Sequence, residues 1–270
     1  MNPELMEQID RIPMLPETVR KVEIVYNNPN SGVADMAVAI KDDPIVTAYI
    51  LKAANSPLYG LSRTVTDVTQ AISLLGKDTI RTFTVASAAN SCMDIDLSPY
   101  GMTQNNYLAR AQMQNALVSR WAGKVDRSLL KHLSLASFLL ELGKVVISRY
   151  LIESGKSSLL HDVLNHGGST SEAEVASCGS KSEDVTATIF YKWNFDPDLV
   201  HLIRFANEPE DASDSETQEM AKFLKVSKEA ITLEGQMTDA TLAIARSLIE
   251  EYGMDQNLFD ESVAKILSAA

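Results

Sequence analysis

The sequence predicts an all-α protein, and three observations carry that prediction. Apolar residues recur at helical spacing through most of the 270-residue chain. Capping residues and prolines stand where those helical patterns begin. Runs that alternate apolar and polar residues in the manner of strands do not occur in it.

Asp43-Pro44 sets a capping side chain before a proline at the first helical position, opening a helix expected to reach about Ala54. Val68, Ala71, Ile72 and Leu75 fall at i, i+3, i+4 and i+7, with Thr66 expected to cap that helix and Gly76 to end it. Leu129, Leu133, Ala136, Leu140, Gly143 and Ile147 step by four and three, which predicts one long helix with a continuous apolar stripe. Leu242, Ala245, Ile249 and Tyr252 repeat the pattern near the C-terminus. Two polar stretches punctuate the chain, 93–106 and the acidic 207–217, the latter reading as a loop or mobile linker. They divide it into an N-terminal helical lobe (1–93), a second helical lobe (94–208) and an acidic C-terminal helical extension (209–270).

The chain is long enough to bury a core, and its 45% hydrophobic content excludes a largely disordered protein. Its first fifteen residues lack the apolar region of a secretory signal, and no stretch approaches the ~18 apolar residues of a membrane span. Cys92 and Cys178 lack C-x-x-C spacing and read as two buried thiols. A cytoplasmic location is the expectation. The net charge of −12 is uneven: residues 1–135 carry 13 basic and 13 acidic side chains, residues 136–270 carry 11 and 23. That balance disfavours nucleic acid and anionic membrane, and leaves the neutral half as the only surface for a nucleic-acid contact.

Few residues offer chemistry. The four histidines are His132, His161, His166 and His201, and neither a phosphate loop nor a nucleophile elbow is present. His161-Asp162 and His166 read as a solvated helix end before Gly167-Gly168 rather than as a metal site, because five residues place the two imidazoles roughly 140° apart. Arg63, Lys77 and Arg81 read as solvated charges rather than as a patch for phosphate. Glu141 lies one step from the apolar stripe, where it is expected to pair with Lys144 at i+3 on the surface. The ten methionines read as core filling. Asn55 and Ser56 close a helix, and Pro57, Tyr59, Gly60 and Arg63 follow in a loop. That loop either welds two helices or presents a contact surface.

The segment DDPIVTAYILKAANSPLYGLSRTVTDVTQAISLLGKDTIR (42–81) resembles the HDOD domain, the HD-related output domain of bacterial signalling proteins. Asp43-Pro44, Leu51, Ala54, Asn55, Ser56, Tyr59, Gly60, Gln70-Ala71-Ile72 and Leu74-Leu75-Gly76 carry the match. Leu15-Pro16 upstream and Gly143-Lys144, Glu174, Gly179, Trp193, Pro197 and Ile203 downstream extend it over about 11–208. The resemblance implies a multi-helical two-lobed fold whose second lobe is a degenerate HD-like core. Related HD phosphohydrolases hold metal with a His on one helix and a His-Asp doublet on the next. Here the helical stretch 105–123 has no His or carboxylate, and the doublet falls on Leu140-Glu141. Positions where many HDOD proteins keep further histidines look like Ser182 and Ala206-Asn207.

The implied function is a non-catalytic bacterial signal-transduction module, without cofactor or metal, that binds another signalling protein or a small regulatory ligand. The oligomeric state is left open. Candidate binding residues are Asn55, Ser56, Tyr59 and Arg63 on the loop, and Glu141 and Lys144 in the former cleft, which Leu140 could pack shut. The alternatives are a divergent metal-dependent phosphohydrolase acting on a phosphodiester or nucleotide, and a regulatory nucleic-acid contact through the neutral half.

Overall fold

Short polar side chains start most of the helices. The computed structural model describes residues 1–61 and 63–268, and their regular structure is helical throughout. The first elements are α1 (Pro3–Asp10), α2 (Glu17–Asn27), α3 (Val33–Ile40), α4 (Pro44–Ala54) and α5 (Val68–Cys92). As expected, α4 opens at Asp43, whose carboxylate accepts the Ile45 and Val46 N–H groups. The cap of α5 is Asp67 rather than Thr66. Asp67 Oδ1 accepts the Gln70 N–H (2.8 Å), and the Gln70 side chain accepts the Thr66 N–H (3.0 Å). As expected, Gly76 ends the first stretch of this helix. It takes φ 84°, ψ 164°, kinks the chain, and the helix resumes to Cys92. The second half of α5, from Ile80 to Ala89, is buried on every face, so it forms the centre of the first lobe, with α2, α3 and α4 around it.

The second set is α6 (Gln104–Val125), α7 (Leu130–Leu139), α8 (Leu142–Glu153), α9 (Ser157–Asn165), α10 (Thr170–Cys178), α11 (Ser182–Lys192) and α12 (Pro197–Arg204). The single long helix expected over 129–147 is two helices, broken at Leu140-Glu141. Thr186 of α11 supplies the reason. Its hydroxyl accepts the Gly143 N–H (2.8 Å) and shares its proton between the Leu140 (3.1 Å) and Ser182 (2.8 Å) carbonyls, serving backbone groups at 140 and 143 that a continuous helix would pair internally. Gly143 permits the approach: a Cβ there would lie 2.1 Å from the Ser182 carbonyl oxygen. Apolar periodicity continues across the break, which is why the sequence reads as one helix.

Helix α1 docks on the second lobe, with Asn2 Nδ2 donating to the Tyr150 hydroxyl (2.9 Å) and Lys192 Nζ to the Ile9 and Asp10 carbonyls (2.8 and 2.7 Å). The acidic stretch 207–217 is held in place. Pro209 and Ala212 are buried, Asn207 Nδ2 donates to Ser171 Oγ (3.2 Å), and Lys181 pairs with Glu208. Its acids face water while these few anchors fix the backbone. The last helices, α13 (Ser215–Glu229), α14 (Asp239–Glu251) and α15 (Gln256–Leu267), follow. Trp121 of α6 stacks against Phe223 of α13 (4.6 Å between centroids) and Phe259 of α15 (5.2 Å). Buried apolar side chains run as one cluster from Leu5 to Ile266. Among the described residues no helix is long and apolar enough to cross a membrane.

Candidate functional site

The break between α7 and α8 turns the Glu141 side chain inward. Glu141 and Lys144 are each 1% exposed, so their pairing is a buried contact and not the surface contact expected. Lys144 Nζ lies 2.9 Å from Glu141 Oε2, off the hydrogen-bonding direction, and donates to Glu174 Oε1 (3.1 Å) and Ser182 Oγ (3.0 Å). Glu141 Oε1 accepts from Arg110 Nε (3.2 Å) and Gln114 Nε2 (3.3 Å), both on α6. Glu174 also accepts from the Tyr100 hydroxyl (3.1 Å) and the Ser182 N–H (2.7 Å). Lys228 of α13 pairs with Glu183 and donates to Asn207 Oδ1 (3.2 Å), and the Arg110 guanidinium also donates to the Ile231 and Lys228 carbonyls. The formal charges balance, with Arg110, Lys144 and Lys228 facing Glu141, Glu174 and Glu183.

Electrostatics keep the centre ionised. Burial pushes the Glu141 carboxyl upward, but the charges of Lys144, Arg110 and Lys228 outweigh it and hold the group well below the usual carboxylate range. Burial pushes Lys144 down, and Glu141, Glu174 and Glu183 together reverse that and raise it. Such a cluster tolerates burial only because each charge has a partner within reach.

The positions that the resemblance assigns to metal ligands converge here. Leu140 is 1% exposed and packs in the core. Ser182 and Asn207, among the positions that the resemblance matches to further histidines, bond the Lys144 and Lys228 ammonium groups. A metal ion does not fit this donor set. Leu140 offers no ligating atom, Glu141 Oε1 is taken by Arg110 and Gln114, and the Lys144 ammonium stands as a fixed cation 2.9 Å from Glu141 Oε2, the place a metal ion would need. Among the described residues no three His, Cys, Asp or Glu side chains are grouped to hold a metal ion.

The loop candidates are spent unequally. Asn55 Nδ2 donates to the Leu51 and Val65 carbonyls (2.8 and 2.9 Å) while its Oδ1 accepts the Val65 N–H (2.8 Å). The Tyr59 hydroxyl donates to Asn115 Oδ1 (3.1 Å), its ring meets Phe83 edge-on (5.3 Å), and Arg120 Nη2 donates to the Leu58 carbonyl (2.9 Å). These contacts fasten the loop to α6. Ser56 and Arg63 remain at the surface and line a shallow depression of about 260 Å³. The structure thus brings Glu141 and Lys144 together and places the four loop residues elsewhere.

The other sequence candidates disperse. His166 is exposed, its Nδ1 2.6 Å from the Asp162 carbonyl. Arg81 is buried against Glu23 (2.7 Å) with its guanidinium 4.4 Å over the Tyr26 ring, and Lys77 donates to the Ser31 carbonyl (3.0 Å). Neither is the solvated charge expected. Arg81, Tyr26, His132 and Phe195 instead line a groove of about 620 Å³ between α2, α5, α7 and the turn before α12. Sequence reasoning missed Arg110, Gln114, Glu183 and Lys228. One signal was available for the first two: they stand four apart on α6 within the otherwise apolar face of Tyr107, Ala111, Leu117 and Trp121.

Comparison with known proteins agrees with the helical fold. A "Putative phosphohydrolase" structure from Shewanella amazonensis SB2B aligns over 99% of this chain and 97% of its own, with 20% identity and TM-score 0.69. An HDOD domain protein with unknown function from Geobacter sulfurreducens aligns over 98% and 94%, with 18% identity and TM-score 0.67. A virulence factor from Campylobacter jejuni subsp. jejuni aligns over the full length of both chains, with 26% identity and TM-score 0.59. Among curated sequences, an uncharacterized protein of Treponema pallidum (strain Nichols) is 20% identical over 205 residues, and this chain spans 38% of that relative's length. The family model of the HDOD domain matches residues 12–209, most of the chain, and the chain belongs to the HDOD domain family.

Proposed function

We propose that this chain is a non-catalytic regulatory module of bacterial signal transduction, acting by binding a partner protein or a small ligand. One observation supports the reading: at the two positions that the resemblance matches to a metal-holding doublet stand a packed leucine and a carboxylate already neutralised by Arg110 and Lys144. An ammonium group between Glu141 and Glu174 supplies the positive charge there, but it is sealed from solvent and binds no water that it could turn into hydroxide as a metal does. The Shewanella protein named as a phosphohydrolase shares the fold at 20% identity, which bears on architecture and not on activity.

The test is metal analysis of the purified chain together with hydrolysis of bis(p-nitrophenyl) phosphate and a cyclic dinucleotide, with and without added manganese or iron. The expected result is substoichiometric metal and no metal-stimulated hydrolysis. Stoichiometric metal with turnover that disappears in Glu141→Gln would overturn the reading.

A further inference from the structure

Beside the buried ion pairs, the start of α10, the end of α13, the loop after it and α14 line a cavity of about 370 Å³ that is open to solvent. We propose that this cavity binds a small phosphate-bearing ligand of mononucleotide size, a role that rests on the non-catalytic reading and names its ligand class. Three cationic side chains reach its wall, Arg110, Lys225 and Lys228, against one carboxylate, Glu229. Glu141 and Glu183, the buried partners of Arg110 and Lys228, do not line it. Lys225 and Lys228 come from the half of the chain that carries 23 acids and 11 bases, and Arg110 from the neutral half.

The three cations divide the work. Arg110 is fixed by the Ile231 and Lys228 carbonyls and Glu141, and Gly235 presses the loop after α13 onto α6, where a Cβ would lie 2.7 Å from the Arg110 nitrogen. Lys228 is fixed by Glu183 and Asn207. Lys225 is the movable arm: its ammonium is part-exposed, donates to Asn207 Oδ1 (3.0 Å) and stands 3.7 Å from Glu229 Oε1. A phosphate oxygen exchanged for that amide oxygen makes a charge-assisted contact without disturbing the core.

The opposite wall adds neutral donors. Ser169, Thr170 and Ser171 line the cavity, and the first-turn N–H groups of Thr170 and Ser171 have no partner within α10. Glu172 is the carboxylate of that turn, and its Oε2 is occupied by the Ser169 N–H (2.7 Å) and hydroxyl (2.8 Å). The volume falls within the range of small-molecule sites, roughly 300–1,000 Å³. Cations on one side and hydroxyl and amide donors on the other suit a tetrahedral oxyanion, which has acceptors in every direction.

The experiment titrates the full chain with inorganic phosphate and with AMP by calorimetry at low salt, following the Thr170 and Ser171 amide resonances. Saturable binding is expected, with those two amides shifting. Lys225→Gln should weaken it about tenfold, the loss of one charge-assisted bond. Lys222→Gln makes the same charge change one turn away, outside the cavity, and should bind as wild type. Absence of saturable binding by either probe, or equal affinity in wild type and Lys225→Gln, would overturn the proposal. Release of phosphate from AMP in the same samples would instead count against the non-catalytic reading and leave the site standing.

Discussion

Lys144 Nζ stands 2.9 Å from Glu141 Oε2, and both residues are sealed from solvent at the point where α7 gives way to α8. A pair of this kind stabilises mainly by not being broken: removal of one partner strands the other charge in the core. Lys144→Met should therefore destabilise the protein by about 3–5 kcal/mol. Adding Glu141→Gln should recover part of that loss, since one of the two stranded carboxylates is then gone. Urea unfolding of the single and double variants checks this, and a double variant less stable than Lys144→Met would refute it.

Helices α8 and α11 can approach only because residue 143 is glycine. In Gly143→Ala the new methyl would meet the Ser182 carbonyl at 2.1 Å, backbone against backbone, with no flexible side chain to yield. A loss of about 3 kcal/mol or a failure to fold is expected. Gly123→Ala, whose nearest neighbour is the Leu130 side chain at 3.3 Å, should change stability by no more than about 1 kcal/mol. Thermal melts of the two variants side by side give the comparison.

Asn55 and Arg63 share a loop but answer differently. Asn55 makes three hydrogen bonds that close the turn between α4 and α5, so Asn55→Ala should cost about 2–3 kcal/mol. Arg63 is exposed and enters no ion pair among the described residues, so Arg63→Ala should leave stability within about 0.5 kcal/mol. Any effect of Arg63→Ala on partner capture would then report recognition. A stability loss in Arg63→Ala equal to that of Asn55→Ala would show that both positions serve the fold.

His132 makes stability depend on pH. Burial, aided by the charge of Lys131, pushes its imidazole below the ordinary value, and Asp196 only partly offsets that. Above about pH 6.5 the ring is neutral in both folded and unfolded chains and contributes no difference. As pH falls through that value the unfolded chain takes the proton first, so folding stability declines until the folded ring also titrates. The melting temperature of wild type should fall between pH 7.5 and 5.5 more steeply than that of His132→Gln. Parallel slopes would assign the decline to other groups.

Much of the architecture is legible in the chain because helix signals are local. The cap at Asp43, the spacing of Val68, Ala71, Ile72 and Leu75, and the stripe from Leu129 to Ile147 each depend on residues within a few turns of one another. The all-helical fold and its family follow from these and from the segment 42–81. The same locality explains the errors. Asp67 displaced Thr66 as a cap because its carboxylate, one residue along, accepts the Gln70 N–H while the Gln70 side chain takes up the Thr66 N–H.

Tertiary structure alone decided the site. The stripe over Leu140 and Gly143 could not reveal that Thr186, more than forty residues later, takes up the backbone groups at the break and turns Glu141 inward. Nor could i+3 spacing tell a surface pair from a buried one, since the desolvation of Glu141 and Lys144 depends on Arg110, Glu174, Glu183 and Lys228 arriving from four other helices. Periodicity along the chain sets which face of a helix is apolar. Which charges meet across the core is set by the distances that packing leaves between them.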